Sequence, residues 1–408
     1  MVSAGELSGD MHAADVITAL RQHYPALRAA GLGGDSLEAA GVTLIQHCAN
    51  LAVIGFTDVL RRLPEFLWLI HRLKREVARR QPDLLLLVDY PGLNLILARV
   101  AARHDIPVLY YISPKIWASR AERIHALKES VSHMAVIIPF EKQLFDAANV
   151  PCTYVGNPLQ QQIDPSRSRQ QSRDQLGLEP EQICVGLLPG SRKGEVTRLL
   201  PLLLDSAARL QQQGLSSVAS KPTQWRFLIP RAPSLDPRLF EQFLAPHSGL
   251  SVQIVDGQSH DVMRASDALV VASGTATLEA ALIGTPQVLV YKLGAFNYRL
   301  VKRKLLIQQV GLVNVVAQKA VVRELLQDDA TADAVAGELK RLLEDHSYRQ
   351  QMLDAYAAIA ASLEVKSATR SSAAETSYAE PSALEAQPIA AVTPGQRVAD
   401  IARTLIHR

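Results

Sequence analysis

The feature that most constrains this chain is a rhythm that occurs twice: short runs rich in Leu, Val and Ile alternate with helix-length amphipathic segments. In the first half the runs fall near residues 84–88, 107–112, 134–138 and 153–155; in the second they start at Cys184, Arg226, Val252, Ala268 and Gln287. Runs that short and that apolar suit strands buried on both faces, as in a parallel sheet covered by its own crossover helices. At 408 residues the chain also exceeds what one core ordinarily fills. The expectation is an α/β protein of two Rossmann-like domains, 1–162 and 163–362, with parallel sheets facing a central cleft.

The polar, proline-punctuated stretch from Gln161 to Gln182 marks the linker and the entry helix of the second domain. From Lys366 the sequence is rich in Ala, Ser, Glu and Pro without an apolar period, which predicts a disordered insert over 363–395. Helical spacing returns in RVADIARTLIHR, so a packed helix is expected over 396–408. The first strand offers only Val2, Ser3 and Ala4 before a glycine turn, fewer than the about five or six residues of an ordinary strand, and we expect a native start upstream of Met1.

A formal net charge of +3 is too small to argue for nucleic acid. Cys48, Cys152 and Cys184 show neither metal-ligand spacing nor an even count, which fits packed thiols in a reducing compartment. The opening MVSAGELSGD is a polar turn where a signal peptide would be apolar, and the longest apolar runs are strand-sized. The expectation is a cytoplasmic protein that touches a membrane without spanning it.

Five segments have the residues for chemistry. SAGELSGD, residues 3–10, puts small residues after a strand and before a helix, so its amides face a polar ligand or form a tight turn capped by Ser8 or Asp10. It is neither a dinucleotide GxGxxG nor a lysine-bearing P-loop. Asp89 ends the strand LLLLVD, where ligands of open α/β sheets sit, and is a candidate general base or a helix cap. The loop YYISPKIWASR supplies Ser113, Lys115, Trp117 and Arg120, an aromatic beside two cations that suits a sugar or phosphate or is ordinary surface. In the second half, Gly190, Ser191 and Arg192 leave one strand, and Ser273, Gly274 and Thr275 leave another, each before a helix whose dipole favours a diphosphate. Glu279, one turn after Thr275, is placed to accept ribose hydroxyls or to close a capping box. No zinc cluster, nucleophile elbow or DxD-like site is present, so a leaving diphosphate would be neutralised by amides and cations, with no cofactor and no metal.

Residues 61–79 read as a basic amphipathic helix with Leu63, Phe66, Leu67, Ile70 and Val77 toward the core and Trp68 and Leu69 outside it, among Arg61, Arg62, Arg72, Lys74 and Arg75. Such a helix lies on an anionic bilayer, receives an acyl chain, or is a core helix with a solvated face. YRLVKRKLLI from Tyr298 offers a second basic stretch.

Two phosphate-ready turns in one domain and a polar strand end in the other follow the logic of a GT-B glycosyltransferase. SAGELSGD, GLGGDSLEAAG, VIGFTDVL, VDYPGLN, YYISPKIWASR, PFE at 139–141, YVGNPL, LLPGSRKGEV and SGTATLEAALIGTP stand in an order that resembles the lipid-A-disaccharide synthases, glycosyltransferase family 19, over roughly residues 2–330. The resemblance implies an inverting transfer of diacylglucosamine from UDP to the 6-hydroxyl of diacylglucosamine 1-phosphate at the inner face of the cytoplasmic membrane, and it leaves a homodimer open. It makes Asp89 the base, sets Ser191 and Arg192 at the diphosphate, and gives Ser273, Thr275, Glu279 and Asn314 to the UDP-sugar. Ser119, Asn157, Val313 and Ala13 depart from the family pattern, the first two near the acceptor pocket. The rival readings are another GT-B enzyme, such as a nucleotide-sugar epimerase or a lipid-linked sugar transferase, and a non-catalytic nucleotide-sugar-binding paralogue.

Overall fold

Both series of apolar runs form all-parallel sheets in the computed structural model, which describes residues 1–51, 63–118, 121–215, 224–294, 309–365 and 392–407. The first sheet has the order β3-β2-β1-β4-β5-β6-β7, with β1 Val2–Ala4, β2 Ala30–Gly33, β3 Thr43–His47, β4 Leu85–Val88, β5 Val108–Tyr111, β6 His133–Val136 and β7 Cys152–Tyr154. The second has the order β10-β9-β8-β11-β12-β13, with β8 Ile183–Leu188, β9 Trp225–Arg231, β10 Val252–Asp256, β11 Ala268–Ala272, β12 Gln287–Tyr291 and β13 Glu324–Leu326. In each sheet the order reverses once, at β1/β4 and at β8/β11. Ligands of open α/β sheets bind beyond the carboxyl ends of strands at such a switch point.

The apolar runs are strands because both of their faces are covered. Leu85 and Leu87 of β4 pack in one buried cluster with Tyr110, whereas Leu86 and Val88 pack in the cluster on the opposite face with Leu109 and Tyr111. The edge strands β3 and β13 and the glycine-bearing β2 were not expected as strands. Gly31 explains β2: a Cβ there would lie 1.8 Å from the Val2 carbonyl oxygen, so this strand omits a side chain where its neighbour approaches.

Close contacts divide the chain into one unit built from Met1–Ile116, Ala121–Pro158 and Leu363–Arg408, and another from Trp117–Arg120 and Leu159–Ser362. The entry helix of the second unit, Arg169–Gln175, starts at a capping box of Ser168 and Gln171. Residues 366–391 of the expected insert lie outside the described residues. Beyond them the helix Pro394–Ile406 opens with Thr393 and Gln396 in a second capping box and belongs to the first unit. Its Val398, Ala399, Ala402 and Leu405 join the cluster that holds Val16, Ile17 and Leu20 of the helix Leu7–His23. Gly395 allows this approach, since a Cβ there would come within 3.0 Å of Asp15 Cβ.

The helix Leu63–Arg80 corrects one expectation. Leu69 turns inward with Leu73 and Val77, and Leu67 joins Trp68 on the outside, 56% and 59% exposed. Residues 61, 62 and 298–307, the other basic positions considered, lie outside the described residues. Cys48 and Cys184 are buried and Cys152 half-buried, all as free thiols, with burial raising both the Cys152 and Cys184 thiols to about 12.

Because Ala402 is fully buried in the cluster shared with Leu7–His23, Ala402→Glu is expected to destabilise the first unit by roughly 3 kcal/mol or more in urea unfolding. Asp400→Ala, on the exposed face of the same helix, should stay within about 0.5 kcal/mol.

Candidate active site

At the switch point of the first sheet, β1 and β4 are paired through Ala4 and Val88, so the turns that follow them are neighbours. Asp89 and Tyr90 both adopt left-handed backbone, φ 46° and 43°, and Pro91 then opens the helix Pro91–Ala102. Two successive non-glycine residues in that region cost on the order of 1–3 kcal/mol each, so surrounding bonds must fix them. The Asn94 side-chain amide donates to the Asp89 carbonyl at 2.7 Å and to those of Val88 and Ser3 at 3.1 and 3.3 Å, and the Tyr110 hydroxyl donates to the Asp89 carbonyl at 2.7 Å. Ser3 Oγ donates back to Asn94 Oδ1 at 2.7 Å, which joins both strand ends through one buried amide. Gly5 leaves room for the Tyr90 ring, since a Cβ there would sit 2.4 Å from it.

The main chain of Asp89 is thus spent on its own fixation, and the half-buried carboxyl is left at the sheet edge. Burial raises its pKa above the ordinary aspartate value; the Glu6 carboxylate adds to this, and Lys115 with the Tyr90 amide opposes it. A carboxylate of raised pKa at a strand end is equipped to accept a proton.

Asp10 has a different place from the one expected. It is fully buried, and its carboxylate accepts from the amides of Gly34 at 2.5 Å, Ser36 at 2.9 Å and Leu37 at 3.2 Å, capping the helix Asp35–Ala39. A Cβ on Gly34 would lie 2.9 Å from Asp10 Oδ2, so GLGGD is a glycine turn folded around the acid of SAGELSGD. Ser8 is exposed in the first turn of Leu7–His23. Ser113 is buried and donates to Glu141 Oε1 at 2.7 Å, tying the loop after β5 to the helix Pro139–Ala147. Trp117 is half-buried, and Arg120, like Ser119, lies outside the described residues. Asn157 is buried and donates to the Ile137 carbonyl at 3.2 Å.

At the switch point of the second sheet, β8 and β11 are paired through Leu188 and Val271, which brings Gly190–Arg192 beside Ser273–Thr275. Gly190 has φ 104°, and a Cβ on it would strike Glu195 Oε2 at 2.4 Å. Glu195 folds back to accept from the Arg192 amide at 3.3 Å and pairs with its guanidinium at 3.3 Å. Ser191, Arg192, Lys193 and Gly194 are exposed at the start of the helix Lys193–Gln213, whose first amides lack intrahelical partners. Gly274 and Thr275 are exposed before the helix Ala276–Ile283, and half-buried Ser273 donates to the Val310 carbonyl at 3.2 Å. Glu279 does not close a capping box. Its Oε2 meets His260 Nε2 at 3.0 Å, with the two side chains 14% and 28% exposed.

Asn314 is a correction, because it has nothing left to offer a ligand. It is fully buried; its nitrogen donates to the Val322 carbonyl and to Glu324 Oε1 at 2.7 and 2.9 Å, and its oxygen accepts from the amides of Val321 and Val322, both at 2.8 Å. Glu324 also accepts from the amides of Val310 and Gly311, so Asn314 positions this loop. His260, Asn94 and Glu324 escaped the sequence reading. The only signal for His260 is a polar residue opening a helix just after the carboxyl end of β10.

Two parallel sheets of this order, each with polar groups gathered at its switch point, define a protein of the GT-B class. Solved structures of that fold include the UDP-GlcNAc 2-epimerase of Neisseria meningitidis (TM-score 0.55, 13% identity, 89% of this chain and 98% of that one) and the glycosyltransferase of kitacinnamycin (TM-score 0.56, 14% identity, 99% and 98%). At such identities the likeness is one of fold. The family profile Lipid-A-disaccharide synthetase matches residues 1–378. The lipid-A-disaccharide synthase of Syntrophus aciditrophicus is 41% identical over 343 residues, 84% of this chain and 88% of that protein, and that of Geobacter sulfurreducens is 39% identical over 351 residues, 86% and 89%. The chain belongs to the lipid-A-disaccharide synthase family.

Removing a buried carboxylate that satisfies three amides, two of them buried, should be felt in stability. Asp10→Ala is expected to cost about 2–4 kcal/mol by thermal or urea unfolding, while UDP affinity of the folded fraction stays within about twofold by calorimetry.

Proposed function

We propose that this chain is the glycosyltransferase that condenses UDP-2,3-diacylglucosamine with 2,3-diacylglucosamine 1-phosphate, giving the β-1,6 disaccharide 1-phosphate and UDP in lipid A biosynthesis. The observation that carries the reading is Asp89, a carboxyl of raised pKa on a locked strand end, in a chain of this family. Beside it, in the first turns of Leu7–His23, Leu7 and Met11 are 68% and 44% exposed, an apolar pair suited to an acylated acceptor.

In this mechanism the Asp89 carboxylate takes the proton of the acceptor 6-hydroxyl as that oxygen forms its bond to the anomeric carbon. The bond from the anomeric carbon to the diphosphate oxygen breaks, and its electron pair leaves with UDP, so the configuration inverts. The amides after Gly190 and Gly274, with Ser191, Thr275 and the Arg192 guanidinium, absorb the charge that grows on the diphosphate without a metal. Glu279 accepts the ribose hydroxyls. His260 occupies one of its oxygens and so acts as a positioning residue that aims the other.

Membrane contact belongs to the same proposal. Leu67 and Trp68 stand outward, the Arg72 guanidinium lies 5.3 Å from the Trp68 ring centroid, and His71, Lys74 and Arg75 are exposed along the same helix. No described helix is long and apolar enough to cross a membrane. An apolar pair among cations suits the anionic inner face of the cytoplasmic membrane.

Purified protein given both substrates should release disaccharide and UDP in equal amounts by mass spectrometry, and absence of the disaccharide rejects the reading. Asp89→Asn should lower kcat by roughly 10²–10⁴-fold with UDP affinity retained. Because the Asp89 pKa is raised, its carboxylate protonates at a higher pH than a free aspartate, so the acid limb of wild-type kcat/KM should lie above that of an ordinary aspartate and vanish in the residual activity of Asp89→Asn.

The second switch point gives a separate expectation. Arg192→Ala should weaken UDP binding about tenfold or more by calorimetry. His260→Ala should raise the donor KM several-fold with little change in kcat, and His260→Gln, which keeps a donor toward Glu279, should restore most of it.

A further inference from the structure

The amino ends of the second sheet hold a polar cavity of about 210 Å³ that the catalytic reading does not use. Arg167, Arg169, Arg264 and Arg349 line it, together with the loop Gly284–Pro286 that leads into β12. Asp267 directly precedes β11 and Pro286 directly precedes β12, so five residues of strand, about 16 Å, separate this cavity from Ser273 and its neighbours at the carboxyl edge.

The charges around it do not balance. Asp261 pairs with Arg167 at 2.9 Å, and Asp267 pairs with Arg169 at 2.6 Å while its other oxygen accepts from the Cys184 amide at 2.9 Å and lies 3.8 Å from Arg173. The Asp164 carboxylate accepts from the Ser166 amide and hydroxyl. Arg264 and Arg349 are held by main-chain oxygens, those of Asp164 at 2.9 Å and Asp267 at 2.8 Å. Among the described residues neither has a carboxylate within 4 Å. Of the four lining guanidiniums, Arg167 and Arg169 are thus paired with carboxylates, and Arg264 and Arg349 are held by main-chain oxygens alone. Burial lowers the Arg349 pKa; the Asp267 carboxylate opposes this, and the nearby charge of Arg169 adds to it. The mouth is open at Gly284, where a Cβ would meet nothing within 4 Å.

We propose that this cavity binds a phosphate dianion, as a second anion site separate from the nucleotide edge. Guanidinium forks match phosphate oxygens, and Arg264 and Arg349 offer two forks with no carboxylate partner within ion-pair distance. The same chemistry is offered by inorganic phosphate and by a phosphomonoester lipid headgroup.

With UDP saturating, inorganic phosphate titrated by calorimetry at fixed ionic strength should fill one further site per chain. Arg264→Gln and Arg349→Gln should each weaken that binding at least tenfold and leave UDP affinity unchanged, which also shows the variants to be folded. Sedimentation with phosphatidic acid vesicles against phosphatidylcholine vesicles distinguishes the source: loss of the phosphatidic acid preference in Arg264→Gln assigns the site to a headgroup, and its retention alongside lost phosphate binding assigns it to free phosphate. No saturable phosphate binding in the wild type, or equal binding in both variants, overturns the proposal.

Discussion

The Asp89 carbonyl, held from two sides by the Asn94 amide and the Tyr110 hydroxyl, is the constraint on which the first half of the molecule turns. Without those bonds the left-handed pair Asp89–Tyr90 would relax toward ordinary backbone, and the carboxyl would swing with it. Because Asn94 also reaches Ser3, the strained turn is anchored to the neighbouring strand as well as to its own helix. A mobile aspartate would keep the same chemistry but lose its aim, and aim is much of what a general base contributes.

A second device recurs in both units: an acid folded against a glycine turn, accepting its amides. Asp10 does this for Gly34, Glu195 for the turn after Gly190, and Glu324 for Gly311, where a Cβ would lie 3.1 Å from its Oε1. In each case the acid consumes local donors and the glycine removes the atom that would obstruct it. The side chains left over at the two switch points, Asp89 on one sheet and Ser191, Arg192 and Thr275 on the other, are those with little internal employment.

Much of this was legible in the residues. Continuous apolar runs such as LLLLV identify doubly covered strands, and both proposed diphosphate turns follow from glycine and hydroxyl residues placed between a strand and a helix. What stayed hidden depends on partners distant in sequence. Gly31 looks like a turn residue until Val2 lies beside it, Asp10 looks like a cap for its own helix until Gly34 arrives, and the pairing of Glu279 with His260 joins two helices without any local pattern. Asn314 misled for the opposite reason: family likeness marks the position, but the contacts show an amide engaged wholly by its own loop. Leu69 and Leu67 exchanged places because apolar spacing alone does not fix the rotation of a helix by one residue.

The return of Pro394–Ile406 to the first unit has a consequence for synthesis. The apolar stripe of Leu7–His23 that receives Val398 and Ala402 is translated about 370 residues before its cover. At roughly 5–20 residues per second that stripe waits tens of seconds for its cover, while the second unit, contiguous over Leu159–Ser362, is made in full a few seconds before that helix. The nascent chain would then complete its later half first, and a holdase or the bilayer itself would have reason to shield the earlier half until release.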